Sequence, residues 1–396
     1  MPAAVTFLLP HYPPDVAADG QLFSQLAREL AARGHEVRVA TFKPGYQEMA
    51  LSAPGGETRD GVKISRWWAP RAGKSLLSRI WRARWIAGWS MWRALFASGG
   101  HTLIIPSSPP TLGMAAWYLW WLRRQPYIYV LHDIHPDLGE ALGRWRHGGF
   151  LSAVLNRINR RVFKRAHAVV TLSERMAENA RRKQPRARIE VIENWADLDK
   201  IAPRAKADSQ FAQANGLVTP FVLQYSGNLG LLHPLDALTR ATGDLATENV
   251  VLTYIGRGAR LNQTKEIAKG YSNVRFFDYQ PLESLCDSLI ACDVAVVTLE
   301  AGVDGLAMPS KLTGILASGR PLIALVPKGS EIAALVEKEG VGAVVTEVND
   351  AESVAAAIRR MRHDPDALAE MGRRARELAE RRFSLQRAVE AYERLL

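Results

Sequence analysis

At 396 residues the chain exceeds what one ordinary core supports and suits two domains of about 200 residues each. Hydrophobic residues at 47% with charged residues at 23% exclude a disordered chain, and the spacing of the two cysteines, Cys286 and Cys292, fits no zinc or redox motif, so they read as buried small hydrophobes and no structural metal is implied. The net charge of +11 lies in residues 1–200, with 29 Lys/Arg against 16 Asp/Glu, whereas residues 201–396 hold 22 against 24, so an anionic surface belongs opposite the first half.

Apolar or β-branched runs at 5–9, 36–41, 102–106, 127–132 and 168–171 alternate with helical patterns at 20–33, 151–165 and 174–182. This order predicts a parallel sheet covered by helices on both faces, a first domain over 1–196. No charged segment precedes the first run and Pro10 ends it, so it is a buried strand and not a signal peptide, and the protein is expected in the cytoplasm. Gly20, at the opening of the first helix, is expected to let backbone approach a ligand closely, with Asp19 capping that helix.

Residues 61–93 hold eight Lys/Arg, no acid and six of the chain's 11 tryptophans. Leu77, Trp81, Trp85, Trp89, Trp92 and Phe96 recur at steps of three and four on one helical face, with Arg79 and Arg82 largely elsewhere. Such a helix suits the interface of an anionic membrane; the other reading packs its tryptophans on the domain's own sheet. A second apolar run, 114–122, carries Trp117, Trp120 and Trp121, ends at Arg123-Arg124, and is shorter than the roughly 20 residues that span a bilayer. It suits a core helix with a wet basic end, or a second membrane contact.

In Leu131-His132-Asp133-Ile134-His135-Pro136 a buried strand runs into a proline turn, which places His135 and His132 at the strand's carboxyl end as site candidates. Alternatively the two histidines are structural and bonded to Asp133. Polar residues 197–218 lack strand alternation and predict a hinge. The βα pattern restarts at 221–225 and continues at 250–255, 274–277, 294–298, 321–325 and 342–345, which predicts a second doubly wound domain over 219–383 and an amphipathic terminal helix over 384–396. Two such domains face to face make a cleft outside their strands' carboxyl ends.

The most informative stretch is 302–321, a loop running into a helix. Pro309 suits a first helical turn, the amides of Ser310, Lys311 and Leu312 are left unpaired, and Lys311 adds a full charge to the helix dipole. An anion belongs there; the plain alternative is a surface helix with a solvated lysine.

Gly305 to Lys311 followed by Gly319-Arg320-Pro321 resembles the nucleotide-sugar-binding half of the family 4 glycosyltransferases, most closely their bacterial polysaccharide branch of the colanic-acid and O-antigen type. The stretches His11-Tyr12-Pro13-Pro14-Asp15, Arg33-Gly34-His35-Glu36-Val37, Ile192-Glu193-Asn194-Trp195 and Tyr225-Ser226-Gly227-Asn228-Leu229-Gly230 agree in order, so the resemblance covers essentially the whole chain.

The resemblance implies an α/β fold of two Rossmann-like domains facing across a cleft, the GT-B arrangement, with the terminal helix crossing back to the first. It implies a retaining, metal-independent and cofactor-free transferase that moves a sugar from a nucleotide diphosphate, uridine foremost, to a lipid-linked saccharide acceptor of exopolysaccharide or O-antigen synthesis. The enzyme would be peripheral on the inner face of the plasma membrane. Asn228 and His233, on the donor loop with Gly227, stand where many relatives hold the diphosphate with Arg and Lys, though His233 also reads as a plain loop histidine. Gly256, Arg257, Tyr279 and Gln280 stand where the base is held, Leu306 lies in the donor loop, and His135, then His132, stands near the anomeric carbon. Gly314 replaces the glutamate that meets the ribose, with Asp304 or Glu300 as substitutes. An epimerase of the same fold would need no basic tryptophan patch, and a nucleic-acid binder would interleave its aromatics on a sheet or recognition helix.

Overall fold

The computed structural model describes residues 2–15, 17–43, 53–70, 78, 81, 84–86, 88, 89, 92, 100–109 and 111–396. They fall into two compact units, one of Met1–Asn194, Gly305–Met308 and Leu385–Leu396, the other of Trp195–Asp304 and Pro309–Ser384.

In the first unit, β1 (Ala4–Leu8), β2 (Glu36–Phe42), β3 (Gly56–Arg59), β4 (Val62–Trp67), β5 (Thr102–Pro106), β6 (Tyr127–Leu131), β7 (Ala168–Thr171) and β8 (Ile189–Val191) form one sheet. Its order is β3-β4-β2-β1-β5-β6-β7-β8, and only β3 runs antiparallel to its neighbour. Strands β5, β6 and β7 are buried along their whole length, as a parallel sheet between two helix layers requires. Helices α1 (Ala18–Ala32), α2 (Thr111–Arg123), α3 (Asp137–Ala141), α4 (Phe150–Arg165) and α5 (Glu174–Lys183) follow the strands.

Three strands lie outside the runs read from sequence: β3, β4 and β8. Strands β3 and β4 are joined by Asp60 (φ 51°) and Gly61 (φ 76°), two left-handed residues of the kind a tight hairpin needs. Lys63, Arg66 and Trp67 are therefore strand residues, and the basic tryptophan segment opens as sheet. Helical backbone is found at Trp81, Trp85, Trp89 and Trp92; Arg79 and Arg82, with Leu77 and Phe96, lie outside the described residues.

The second unit contains α6 (Gln210–Ala214), β9 (Phe221–Ser226), α7 (Asp236–Asp244), β10 (Val250–Ile255), α8 (Leu261–Ile267), β11 (Val274–Phe277), α9 (Leu285–Leu289) and β12 (Val294–Thr298). It continues through α10 (Lys311–Ala317), β13 (Leu322–Leu325), α11 (Glu331–Glu339), β14 (Gly342–Val345), α12 (Ala351–His363) and α13 (Pro365–Arg382). All six strands are parallel in the order β11-β10-β9-β12-β13-β14, which reverses direction between β9 and β12. Ligands of such sheets bind at that reversal, outside the carboxyl ends. Ser330, Asp350 and Asp364 accept backbone N–H bonds at the starts of α11, α12 and α13, each cap contributing about 1 kcal/mol.

Residues 197–218, expected as a hinge, are part of this unit. Ile201, Ala212 and Leu217 are buried, and the Ser209 hydroxyl donates to Asp287 O at 2.9 Å. Scattered apolar anchors among polar neighbours carry no period, so the packing left no pattern to read. Helix α14 (Leu385–Glu393) belongs to the first unit, where Glu393 pairs with Arg33 at 2.5 Å and His35 at 3.0 Å.

Candidate functional site

In the second unit the side chains converge where β9 and β12 diverge. Lys311 opens α10 with its Nζ buried, without a hydrogen-bond partner, 3.3 Å from the centre of the Tyr225 ring at the end of β9. Burial holds this ammonium well below the usual lysine range. A buried lysine amine on an aromatic face without a hydrogen-bond partner can take up a proton and an anion together. Gly227 shapes the approach: with φ 133°, it lacks a Cβ that would stand 3.3 Å from Lys311 Cε.

The cradle is narrower than the sequence suggests. Pro309 precedes α10 by two residues, and its carbonyl accepts the Leu312 N–H at 3.2 Å, so Leu312 offers no amide and the amides of Ser310 and Lys311 remain. His233 is buried with Nδ1 at 2.9 Å from Thr298 O, and a carbonyl only accepts, so Nδ1 carries the proton. Burial, and after it the charge on Lys311, pushes His233 down to about 3. Neutral His233 therefore presents a lone pair at Nε2 and suits a prop for the Tyr225 ring, 5.7 Å away, better than a phosphate clamp.

Gly256, φ 136°, ends β10 where a Cβ would meet Gly227 O at 2.2 Å, so the two glycine turns stack backbone on backbone. Arg257 pairs with Asp278 at 2.9 Å, Gln280 donates to Asp278 O at 2.9 Å, and half-exposed Tyr279 lies beside Gly256. Asn228 is exposed and touches the Gly258 turn. Asp304 accepts the Glu331 N–H at 3.2 Å and so serves the start of α11 instead of standing open for a ribose. Glu300 lies after β12 with Arg260 at 3.8 Å. Sequence reasoning gave no contact to Arg260 or Tyr225: the first shares the loop of Gly256 and Arg257, and the second was read as the end of a strand and the start of the 225–230 stretch.

In the first unit the loops after β1, β5 and β6 meet. The Ser107 hydroxyl takes the His132 N–H at 3.1 Å and so fixes the 132–135 loop. His132 stacks on Phe23 at 5.5 Å, while His135 meets Trp145 at 5.8 Å and has a buried Nδ1 without a partner. Burial lowers both histidines, against the pull of Asp133 on each, and burial raises Asp133. Neither ring is bonded to Asp133 among the described residues; Asn159 instead donates to His135 O at 2.5 Å.

Leu306 lies here: its carbonyl accepts the Ile134 N–H at 2.8 Å, and Ala307 bridges Asp133. Gly20 answers to the chain itself, since a Cβ would stand 2.9 Å from His11 C and O. Asp19 is not the cap; Ala17 holds that position, and Asp19 accepts the Gly20 N–H at 2.9 Å from inside the first turn.

The tryptophan stripe divides. Trp81, Trp85 and Trp92 are exposed, but Trp89 is buried, stacked on Trp67 at 6.0 Å and tilted on Phe42 at 4.9 Å. It lies on the edge of the stripe nearest buried Ile86, one helical turn before it. Arg66 is also internal, paired with Glu57 at 2.5 Å. Among the described residues no group of His, Cys, Asp and Glu could hold a metal ion, and no helix is long and apolar enough to cross a membrane.

Residues 20–195 match a glycosyl transferase 4-like domain and residues 220–364 match the group 1 glycosyltransferases. WbjE of Pseudomonas aeruginosa, named as a glycosyltransferase, is 27% identical over 249 residues, 62% of this chain and 60% of that protein, so the match spans under two-thirds of its length. WcaI of Escherichia coli K12, named for colanic acid biosynthesis, is 26% identical over 370 residues, 88% of this chain and 90% of that protein. The fold matches Anabaena HepE in complex with UDP-glucose with a TM-score of 0.75 at 16% identity, over 99% of this chain and 98% of that one. Two α/β units on switch-point sheets, each matched in order by a glycosyltransferase domain, establish that the chain belongs to the family 4 type glycosyltransferases.

Proposed function

We propose that the protein is a retaining, metal-independent glycosyltransferase that moves a sugar from a nucleotide diphosphate, UDP foremost, to a lipid-linked saccharide in bacterial polysaccharide synthesis. One observation carries the reading: a buried, unpartnered ammonium at the switch point of a parallel sheet, Lys311 against Tyr225, with a glycine turn open beside it. A departing diphosphate supplies the missing partner, and the ammonium neutralises charge that grows as the anomeric bond breaks. The HepE complex with UDP-glucose supports this choice of donor, and WcaI supports a polysaccharide role.

Gly227 and Gly256 let backbone approach the donor, and the Gly256–Gln280 region offers backbone groups for the base. His135, neutral and with a free Nδ1, is assigned to the reacting sugar. Exposed Trp81, Trp85 and Trp92, with Trp67 and Trp68, suit an enzyme resting on a membrane face where a lipid acceptor is presented. Calorimetric titration with UDP and UDP-glucose tests the reading: binding that survives intact in Lys311→Met removes its basis.

A further inference from the structure

A second feature of the first unit lies between two of its helices. Helices α2 and α4 pack side by side and leave an open hollow of about 240 Å³, lined by Trp117, Trp120, Trp121, Arg161, Lys164 and Arg165. Arg165 and Arg124 lie 4.3 and 4.4 Å over the Trp120 ring and Arg161 lies 5.8 Å over Trp117, so the guanidinium groups are already arranged on indole faces.

Residues 111–124 and 150–165 contain seven Lys/Arg and no Asp or Glu. No carboxylate pairs with Arg157, Arg160, Arg161, Lys164 or Arg165 among the described residues. Beside this charge stands an apolar surface that folding does not use. On α2, Met114, Tyr118, Trp121 and Leu122 are exposed along one face; on α4, Phe150 is 87% exposed, with Leu151 and Val154 next to it.

We propose that this hollow binds the phosphate of an anionic lipid head group while the α2–α4 apolar rows enter the bilayer interface. The hollow is below the roughly 300–1,000 Å³ of pockets that enclose whole small molecules, so it takes a head group and leaves the rest of its ligand outside. Aliphatic Met114, Leu122, Leu151 and Val154 fit acyl chains; a single-stranded nucleic acid would want free aromatic faces, and those of Trp117 and Trp120 are covered by the protein's own arginines. The inference rests on the membrane-facing reading of the first unit and is independent of the donor.

Co-sedimentation with vesicles of equal phosphatidylglycerol and phosphatidylcholine, against phosphatidylcholine alone, tests it. Wild type is expected to bind the anionic vesicles and lose them at high salt. Replacing Arg161, Lys164 and Arg165 by Gln together should weaken partition about fivefold per charge, on the order of 100-fold. Leu122→Ser with Phe150→Ser should weaken it separately. Thermal melts establish that the variants fold, and UDP titration reports the donor site independently, so loss of either reading leaves the other standing.

Four outcomes overturn the proposal. Wild type could ignore anionic vesicles, or the triple variant could bind them as wild type does while Trp81, Trp85 and Trp92 changed to Ser release them. Millimolar inorganic phosphate could displace wild type while the apolar double variant has no effect, which makes the hollow a site for a soluble anion. Equal or tighter binding of single-stranded RNA would assign it to nucleic acid.

Discussion

The two switch-point sites differ in the kind of charge they keep. In the second unit the centre is cationic and mostly backbone: Lys311 on Tyr225, the glycine turns at 227 and 256, and a neutral histidine held underneath. In the first unit no lysine or arginine replaces it among the 132–135 residues; two neutral histidines and a carboxyl raised by burial share the loop. Glycosyl transfer separates the same tasks, since a leaving diphosphate needs fixed positive charge while the reacting sugar needs hydrogen-bonding groups that do not repel a developing oxocarbenium ion. A cation beside that carbon would oppose the reaction.

The largest effect is expected in the first unit. His135→Ala should lower turnover about 10²- to 10⁴-fold, the range of a lost positioned proton-handling or transition-state contact, with little change in UDP affinity. His135→Asn restores a donor near Nδ1 and should recover part of the loss. Steady-state kinetics beside calorimetry decide it: equal losses in binding and turnover would erase the distinction between the two sites.

Lys311→Met should weaken UDP binding by about 10- to 100-fold, the worth of one charge-assisted bond of about 1.5–3 kcal/mol. Because burial lowers the Lys311 amine in the free protein, binding of a diphosphate requires its protonated form, so affinity should fall as pH rises through that lowered value. Dissociation constants measured across pH should slope for wild type and be flat for the variant. A sloping variant would place the titrating group elsewhere.

Much of the fold was legible in the sequence because parallel strands buried on both faces leave nearly continuous apolar runs, as β10, β12 and β13 of the second unit do. The start of α10 at Lys311 was legible because Pro309 suits a first helical turn, whereas the sequence left open whether its amine is solvated, and the structure buries it. What sequence could not give was which neighbour a residue serves. Gly20 read as an opening for a ligand and makes room for the His11 backbone; Asp304 read as a ribose partner and takes an amide of α11. Trp89 shares its helical stripe with three exposed tryptophans and turns inward because β2 and β4 place Phe42 and Trp67 against it. Such outcomes depend on tertiary partners remote in sequence. The Asp60-Gly61 hairpin signal was local and available, and the tryptophan pattern beyond it drew attention away.

His233 supplies a smaller, stability-based test. Its folded value of about 3 lies below the ordinary 6.5, so between those values the unfolded chain binds more protons than the folded one. Stability should therefore drop as pH falls through that window, by up to about 1.4 kcal/mol per pH unit, and be unaffected by this group above it. His233→Asn keeps a donor for Thr298 O and carries no proton, so its denaturant midpoints should fall less steeply over the same range. Parallel curves for the two proteins would mean that His233 titrates normally and is more open to phosphate than its bonds indicate.

The smallest effect separates a glycine the site requires from one it merely contains. A Cβ at Gly314, inside α10, would meet only Leu289 Cδ1 at an ordinary 3.6 Å, so Gly314→Ala should gain about 0.5–1 kcal/mol from reduced backbone freedom and raise the melting temperature by about 1–4 °C. UDP affinity should not change, because no side chain there serves the donor in this chain. Gly256→Ala is the opposite case: its Cβ would overlap Gly227 O at a left-handed φ, so one turn must move and Gly227 beside Lys311 moves with it. Loss of UDP binding in Gly314→Ala would show that the donor needs the space above α10.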